Sequence, residues 1–308
     1  MKLLIVTQSV DQEDSDLGFF VRWIEEFAKH AEHLEVICLK EGKHKLPANV
    51  RVHSLGKERA SMIYHTSTWR RVAYAARFYV LMWRLRHEYD TVFVHMNPEY
   101  VILGGVFWRM WGKKIALWYT HKSVDLKLRV AEKLAGIIFT ASKESFRLAS
   151  KKVHVMKHGI DVDFFSPDAR IARGDWALSV GRLMPSKRHD LAIRRAVQEG
   201  RALRIAGEGP ERARLEALAH ELHASVQFLG ALTQAQLRDE YRTAAYFIHT
   251  SETGSLDKVV LEALACGLPI VTNDPALKPL EHEGPQYVRE QHSLQKLIPA
   301  ILNDMQAL

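Results

Sequence analysis

Short apolar stretches alternate with amphipathic ones along the first half of the chain. The stretches typical of buried strands are KLLIVTQ, LEVICL, TVFVH, KIALWYTH, GIIFTAS and KVHVMKHG. Between them, FFVRWIEEFAKH, TWRRVAYAARFYVLMWRL, DLKLRVAEKLA and KESFRLA carry apolar residues at the spacing of one helix face. This alternation predicts a parallel sheet that is covered by helices on both faces.

A second series with the same pattern follows, with the strands WALSVGR, LRIAGEG, VQFLG, YFIHTS and PIVTND. The stretch DVDFFSPDARIARGD, residues 161–175, contains proline and mixed charge and is the predicted link between the two series. We therefore predict an α/β protein with two doubly wound, Rossmann-like domains, an N-terminal one in residues 1–165 and a C-terminal one in 166–290. Residues 291–308 are predicted to form a C-terminal helix, for which a return to the N-terminal domain is one option.

The composition indicates a globular protein without a membrane span. Hydrophobic residues make up 47% of the chain and charged residues 26%, and the longest apolar run, YVILGGVFW, is about half of the ~20 residues that cross a bilayer. Residues 1–10 are too briefly apolar for a signal peptide and are followed at once by acidic residues. Cys38 and Cys266 lack a nearby second cysteine, which is typical of buried free thiols in a reducing cytoplasm.

Positive charge is concentrated in the first half of the chain. Residues 1–165 contain 26 Lys and Arg and 18 Asp and Glu, whereas residues 166–308 contain 17 and 18. A basic half predicts an anionic partner, for which nucleic acid, a membrane surface and an anionic substrate are the candidates.

One predicted helix, residues 69–86, carries part of this charge beside an apolar stripe. The stripe consists of Trp69, Val72, Ala73, Ala76, Val80 and Trp83, and the basic line consists of Arg70, Arg77 and Arg84. Such a helix can lie on an anionic membrane surface. Packing of the stripe on the N-terminal sheet, with solvated arginines, needs the same pattern and is the interpretation we favour.

Glycines follow several strands of the second series. ALSV leads into Gly181, RIA leads into Gly207 and Gly209, and FL meets Gly230. Ligands of doubly wound sheets bind beyond the carboxyl ends of the strands, where glycine lets them approach the backbone closely. Each glycine alone could simply close a turn, but their repetition favours a ligand-binding edge.

A cationic pair follows the first of these strands. Arg182 comes directly after Gly181, and Lys187 lies five residues further on, where a helix should begin. A helix start, an arginine fork and a lysine ammonium together can hold a diphosphate. Two solvated surface cations are the alternative.

The stretch SETGSLDKVVLEALACGLPIV contains a single acid, Glu262, among otherwise apolar residues from 259 to 266. The Ser255 hydroxyl is predicted to cap this helix, and Lys258 places a cation in its first turn, where an anion would compensate the helix dipole. Hydroxyl groups of a sugar or ribose would satisfy a buried Glu262. A structural glutamate, paired with a buried arginine or a backbone N–H, is the alternative.

Two other kinds of site are disfavoured. A dinucleotide dehydrogenase needs a glycine-rich turn after the first strand, where this chain has QSVDQEDSD, and GEGPER has Arg212 in the place of the third glycine. The acidic pairs Asp14/Asp16 and Asp161/Asp163 have no further ligand at metal-binding spacing. We predict no metal site.

Taken in order, the motifs resemble those of the retaining glycosyltransferases of family 4. The motifs are HGID at 158–161, VGRLMPSK at 180–187, IAGEGP at 205–210, VQFLG at 226–230 and LEALACGLPIV at 261–271, with WYTH at 118–121 as a looser match in the first half. The resemblance implies a GT-B fold, in which two such domains face each other across a cleft. It also implies a nucleotide-sugar donor and no metal ion or other cofactor.

Individual roles follow from the resemblance. Arg182 and Lys187 look like the pair that holds the donor diphosphate, and His121 looks like the N-terminal-domain histidine that faces the donor sugar. These three are the implied catalytic residues. The implied donor-binding residues are Gly181, Glu208, Gly209, Gly230, Ser255, Lys258, Val259 and Glu262, with Glu262 accepting the ribose hydroxyls.

Two departures from the family pattern concern the donor sugar and the acceptor. The family usually has a second glutamate eight positions before Glu262, where this chain has Gly254, although Glu252 is close. The usual Gly-Gly loop after the first strand is reduced to Gly18.

The resemblance implies a retaining transfer of sugar from a nucleotide diphosphate sugar to an unknown acceptor, either a sugar or a lipid-linked molecule. A nucleotide-sugar epimerase and a non-catalytic nucleotide-sugar-binding subunit are the alternatives. Nucleic acid is not an expected partner. The expected location is the cytoplasm, with peripheral attachment to an anionic membrane surface as an additional option.

Overall fold

The computed structural model describes residues 1–57, 68–251 and 256–308. The chain forms two compact units, an N-terminal unit of residues 1–157 and 295–308 and a C-terminal unit of residues 158–294. The division therefore falls before residue 158 and not at 165, and the predicted link in 161–175 is wrong. Ile160, Val162 and Phe165 are buried in the core of the C-terminal unit, so this stretch belongs to that unit.

The N-terminal unit contains a seven-stranded parallel sheet with the order β3-β2-β1-β4-β5-β6-β7. The strands are β1 Lys2–Val10, β2 His33–Glu41, β3 Val50–Ser54, β4 Thr91–His95, β5 Lys114–Trp118, β6 Ile137–Thr140 and β7 Val153–Val155. The predicted strands are confirmed. The half-buried edge strand β3 lacks a continuous apolar run and was not predicted.

In the described ranges, the helices that connect these strands are α1 Phe19–His30, α2 Thr68–Arg84, α3 Pro98–Met110 and α4 Leu126–Leu134. Helix α3 was not predicted, because its sequence is apolar on nearly every face and lacks a clear helical stripe. The helix predicted in KESFRLA is wrong. Only a 3-10 turn forms at Lys143–Ser145, because Ser142 caps that turn and the chain is already extended at Phe146.

Helix α2 packs on the sheet through a face that the predicted stripe does not include. Phe78 and Met82 are buried in the core of the unit, and Tyr74 packs beside them. At 100° per residue, Val72 and Val80 project from the opposite side of the helix, and both are exposed. The interpretation that the stripe packs against the sheet is therefore wrong.

The C-terminal unit contains a five-stranded parallel sheet with the order β10-β9-β8-β11-β12. Its strands are β8 Trp176–Val180, β9 Ala202–Ala206, β10 Val226–Gly230, β11 Tyr246–His249 and β12 Ile270–Thr272. Its helices are α5 His189–Gln198, α6 Arg212–Glu221, α7 Gln234–Thr243, α8 Lys258–Ala265 and α9 Pro285–Gln291. All five strands of the second predicted series are confirmed.

The last helix, α10 Leu294–Gln306, corresponds to the predicted C-terminal helix. Residues 295–308 group with the N-terminal unit, and the His154 ring lies 2.8 Å from an Asp304 carboxylate oxygen there. None of the helices in the described ranges combines the length and apolar character that a bilayer-spanning segment needs.

Candidate functional site

The strand order of the C-terminal sheet reverses between β8 and β11. The chain winds outward from β8 through β9 to β10 and then returns to the other side of β8 with β11. Such a switch point opens a crevice at the carboxyl ends of the two central strands. The predicted donor residues of the described ranges follow the carboxyl ends of β8 and β9, end β10, or lie in α8 after β11, so the sequence motifs converge at this one edge of the sheet.

Two of the glycines at this edge are required by the packing of neighbouring loops. A Cβ atom on Gly207 would overlap the Gly181 carbonyl oxygen, and one on Gly209 would overlap that of Leu183. Leu183 N–H donates to the Glu208 carbonyl at 2.9 Å, which joins the loops after β8 and β9. These glycines therefore close the loops tightly and also leave the backbone uncovered for a ligand.

The other residues predicted on these two loops have different surroundings. The Arg182 side chain is exposed and has no ion-pair partner within the described part of the chain. The Glu208 carboxylate is paired with Arg212 Nη1 at 2.6 Å. Arg212 stands where a dinucleotide-binding motif has its third glycine, and here it positions Glu208. Gly230 lies at the end of β10, where its carbonyl accepts from Gly207 N–H at 2.8 Å.

Lys187 joins two strand ends of the site. Its Nζ lies 2.6 Å from Asp257 Oδ2, and its backbone carbonyl accepts from the Thr250 hydroxyl at 2.9 Å. These bonds tie the loop after β8 to the loop after β11 and to the start of α8. Lys187 is therefore held in place as part of the site, and the alternative of a solvated surface cation does not apply to it.

Asp257 also contacts His249, the last residue of β11. His249 Nε2 lies 3.1 Å from Asp257 Oδ2, and His249 Nδ1 lies 3.1 Å from Thr272 Oγ1. Burial alone would raise the pKa of Asp257, but the hydrogen bond from His249 and the charge of Lys187 outweigh it and lower this pKa to about 2. An ionised carboxylate only accepts hydrogen bonds, so Nε2 of His249 carries the proton.

Sequence reasoning missed Asp257 and His249. Their signals were present, since His249 ends the strand YFIHTS and Asp257 directly precedes Lys258. Helix α8 begins at Lys258 with Asp257 as its N-cap residue, although the Asp257 side chain makes no capping bond. The predicted N-cap at Ser255 is therefore wrong. Ser255, Gly254 and Glu252 themselves lie outside the described residues.

Glu262 is buried in α8, with 2% of its surface exposed. The Tyr241 hydroxyl donates to Oε2 at 3.3 Å, and Lys258 Nζ lies 3.0 Å from Oε1 as an ion pair. The ammonium is not aligned for a hydrogen bond, so Oε1 has no hydrogen-bond donor among the described residues. Glu262 is thus paired within the protein, as the structural alternative predicted, but its partners are a lysine and a tyrosine and not an arginine or a backbone N–H. Val259, in the first turn of α8, packs half-buried against the core.

Several buried polar atoms near the switch point lack a partner in the described part of the chain. They are His158 Nε2, His189 Nε2, Ser251 Oγ and Glu262 Oε1. His189 begins α5 directly after the β8 loop, and Ser251 follows β11. Buried polar atoms are seldom left unsatisfied, so Ser251 Oγ and Glu262 Oε1 are the atoms of this group that a bound ligand would satisfy.

Two of these groups are histidines that are neutral at pH 7. Burial, with a further contribution from the charge of Lys187, lowers the pKa of His189 to about 4. Burial and the charge of Lys258 lower the pKa of His158, in the HGID motif, to about 4 as well. The positive charge of the edge therefore comes from Arg182, Lys187 and Lys258, against the carboxylates of Asp257 and Glu262.

His121 belongs to the N-terminal unit, in the loop after β5 at the carboxyl edge of that sheet. Its ring is exposed, its Nδ1 accepts from Ser123 N–H at 3.2 Å, and the same atom contacts the Ser123 hydroxyl. Gly18 precedes α1, and a Cβ atom there would overlap the Asp14 carbonyl oxygen. Glycine is thus needed at position 18 for the turn itself.

The acidic pairs Asp14/Asp16 and Asp161/Asp163 lie in turns, where one aspartate of each pair accepts hydrogen bonds from the backbone. The Asp14 carboxylate accepts from the backbone N–H groups of Asp16 and Leu17, and that of Asp161 accepts from those of Asp163 and Phe164. Across the described ranges, no three histidine, cysteine or acidic residues come together as metal ligands would.

Comparison with known proteins supports the motif assignment. Residues 167–298 match the family "Glycosyl transferases group 1". A GDP-mannose-dependent alpha-mannosyltransferase from Mycobacterium tuberculosis is 32% identical over 157 residues, which cover 48% of this chain and 39% of that protein. A D-inositol 3-phosphate glycosyltransferase from Mycobacteroides abscessus is 30% identical over 167 residues, 46% of this chain and 38% of that protein. The chain thus spans about two fifths of the length of these curated relatives.

The fold extends the likeness to the whole chain. The Anabaena protein HepE, crystallised with UDP and glucose, matches 100% of this chain and 100% of its own with a TM-score of 0.73 at 15% identity. The lipopolysaccharide glycosyltransferase WaaG matches 99% and 92% with a TM-score of 0.61 at 15% identity. The predicted GT-B architecture of two Rossmann-like domains is confirmed by this likeness. Residues 167–298 are thus similar to the glycosyl transferases group 1 family, and the two-unit fold is similar to that of HepE and WaaG.

Proposed function

We propose that this chain is a glycosyltransferase that moves a sugar from a nucleoside diphosphate sugar to an acceptor hydroxyl with retention of configuration. The observation that carries the proposal is the cationic, glycine-lined edge at the β8/β11 switch point, with Arg182 exposed and Lys187 fixed beside it. The relative named for GDP-mannose and the structure described with UDP and glucose support a nucleoside diphosphate sugar as the donor class.

Arg182 and Lys187 have different tasks in this proposal. The exposed guanidinium of Arg182, which has no ion-pair partner among the described residues, can form two parallel hydrogen bonds with the diphosphate. Lys187 is already positioned by Asp257 and supplies a fixed positive charge. Charge that develops on the departing diphosphate is then stabilised by groups that need not reorganise, which is the most effective form of electrostatic catalysis.

Glu262 and Tyr241 form the proposed ribose site. Tyr241 donates to Glu262 Oε2, whereas Oε1, which lies 3.0 Å from Lys258 Nζ, has no hydrogen-bond donor among the described residues. Two ribose hydroxyls next to this oxygen would supply the missing donor. Gly181, Gly209 and Gly230 would allow the nucleotide to lie against the backbone, and Glu208, Ser255, Lys258 and Val259 complete the proposed donor-binding set. The donor needs no metal ion or other cofactor in this arrangement.

The N-terminal unit is proposed to receive the acceptor. His121 is the proposed contact to the donor sugar, since it is exposed at the carboxyl edge of that sheet. Retention requires the departing diphosphate and the entering hydroxyl to occupy the same face of the sugar. The basic charge of the first half favours a negatively charged acceptor, either a sugar or a lipid-linked molecule. The proposed location of the protein is the cytoplasm, at the membrane face. No observation favours the epimerase or the non-catalytic subunit.

The test compares Arg182→Ala with Arg194→Ala, a matched control because Arg194 is an exposed arginine of α5. UDP, GDP and their sugars are screened by thermal shift, since ligand binding raises the unfolding midpoint according to affinity. Arg182→Ala should lose at least tenfold in affinity, in keeping with a charge-assisted bond of about 1.5–3 kcal/mol, and the control should bind as wild type. Equal affinities in all three proteins would overturn the diphosphate site.

A second measurement separates the reaction classes. Release of nucleoside diphosphate that depends on an added acceptor indicates transfer. Interconversion of donors without an acceptor would instead indicate an epimerase, and binding without turnover under any condition would indicate a binding subunit.

A further inference from the structure

Helices α2 and α3 of the N-terminal unit expose a group of large apolar side chains, which we call the outer α2–α3 face. Its members are the exposed large apolar side chains of the two helices, Trp69, Val72, Val80 and Trp83 from α2 and Val106, Phe107 and Met110 from α3. Trp69 is 83% exposed, Met110 75% and Val80 64%. Phe78 and Met82 already fill the core side of α2, so these exposed side chains are not needed for the core. Exposed apolar groups of this kind are typical of a surface that binds a protein or a membrane.

Contacts of α2 with α3 and with Trp111, the residue directly after α3, connect the two helices. The rings of Tyr79 and Phe107 lie 5.8 Å apart, and those of Trp83 and Trp111 lie 5.5 Å apart. A shallow apolar cavity of about 470 Å³ lies beside these rings, lined by Tyr79, Val80, Met82, Trp83, Arg84 and Phe107. The face is therefore a shaped surface of two helices with a depression that can accept an apolar group.

The charge around the face has one sign. The α2 sequence, residues 68–84, contains Arg70, Arg71, Arg77 and Arg84 and no acid. In α3, residues 98–110, the single acid is Glu99, and Lys127 Nζ lies 2.7 Å from it. At 100° per residue, Arg70, Arg77 and Arg84 fall on one flank of α2, between its buried and exposed apolar faces. An apolar surface with a basic rim is complementary to a layer with negative headgroups over an apolar interior.

We propose that the outer α2–α3 face docks on an anionic phospholipid bilayer. In this arrangement, α2 lies flat on the membrane over its length of roughly 25 Å, as 17 residues at 1.5 Å each give. Trp69, Trp83 and Met110 enter the boundary between headgroups and acyl chains, and the arginine flank contacts lipid phosphates. The partner is a lipid surface, and self-association of the chain through this face is the alternative outcome of the test.

The topology connects this surface with the acceptor side. Strand β3 ends at the carboxyl edge of the sheet and β4 begins at the opposite edge, so α2, which joins them, begins at the carboxyl edge. Trp69 and Arg70 are therefore near the edge that also carries His121. A docked bilayer would bring a lipid-linked acceptor to that edge. This last connection rests on the proposed function, whereas the docking itself does not.

The experiment measures co-sedimentation of the full chain with vesicles of phosphatidylcholine alone and of phosphatidylcholine mixed with phosphatidylglycerol, at low and moderate salt. The apolar variant is Trp69→Ser/Trp83→Ser/Met110→Ser, and the basic variant is Arg70→Gln/Arg77→Gln/Arg84→Gln. The matched controls are Leu126→Ser and Arg129→Gln, which change exposed residues of α4 in the same unit. Circular dichroism verifies that each variant is folded.

Wild type and both controls should bind the anionic vesicles, and moderate salt should weaken this binding because it screens the arginines. Each triple variant should bind at least tenfold more weakly. Absence of wild-type binding, equal binding to both vesicle types, or wild-type binding by the triple variants would overturn the proposal. The proposal would also be overturned if wild type did not bind vesicles and sedimentation velocity showed it to be a dimer, with the apolar variant a monomer. Thermal shift with UDP and GDP on the same proteins keeps the two proposals apart, since vesicle binding without nucleotide binding would contradict only the proposed function.

Discussion

Replacement of Lys187 by methionine should lower both the stability of the protein and its affinity for the donor. The change keeps the apolar stem and removes the ammonium that lies 2.6 Å from Asp257 Oδ2. Among the described residues, the Asp257 carboxylate then keeps His249 as its one side-chain partner, at 3.1 Å. In the wild type, the Lys187 and Asp257 side chains are 23% and 20% exposed. The loss should therefore exceed that of a surface ion pair and stay below that of a fully buried one.

The pKa of Asp257 sets the size of this effect. Burial raises it, but His249 and Lys187 together lower it from 3.8 to about 2, which corresponds to roughly 2 kcal/mol of net stabilisation of the carboxylate. Lys187 supplies part of this, so we expect a loss of about 1–2 kcal/mol at pH 7. Because the folded pKa is depressed, the contribution is fully present above about pH 4 and is lost as the pH falls through 2.

The assay is urea unfolding of wild type, Lys187→Met, Asp257→Asn and the double variant, followed by circular dichroism at pH 7. In this double-mutant cycle the double variant should be more stable than the sum of the single losses predicts, by about 1–2 kcal/mol. An additive cycle would refute the reasoning, because it would mean that the two groups do not stabilise each other.

Donor affinity completes this prediction. Lys187→Met should bind nucleoside diphosphates more weakly, whereas Asp257→Asn should bind them at least as well as wild type, since it removes a negative charge and keeps Lys187. A loss of affinity in Asp257→Asn as large as in Lys187→Met would show that Asp257 acts on the donor and not through the lysine.

Two further predictions concern buried groups of the same unit. His189 has a folded pKa of about 4 against 6.5 when unfolded, so its contribution to stability falls as the pH drops from about 6.5 to 4. Between pH 7 and pH 5, the unfolding free energy of His189→Gln should therefore fall by about 2 kcal/mol less than that of wild type, as measured by urea unfolding. An equal fall in both proteins would contradict this. Glu262→Gln should weaken donor binding in the thermal-shift assay, because the amide is a poorer acceptor for ribose hydroxyls. Normal binding by a variant that only melts earlier would make Glu262 a structural acid.

The sequence by itself determined the architecture and the order of the site motifs. Strands such as Leu3–Val6 are fully buried on both faces of a parallel sheet, and that burial requires the continuous apolar runs from which they were predicted. The glycines after β8, β9 and β10 also had to lie at one edge, because all the parallel strands end there.

Only the tertiary structure decided which side of α2 meets the sheet and which groups are paired at the site. Tyr74, Phe78 and Met82 form one apolar face of α2, and Val72 and Val80 belong to another, so helical periodicity could not choose between them. The Lys187–Asp257 contact joins residues 70 positions apart. Such a pair follows from the winding of the sheet around β8 and β11, which brings two distant loops together, and no local spacing in the sequence encodes it.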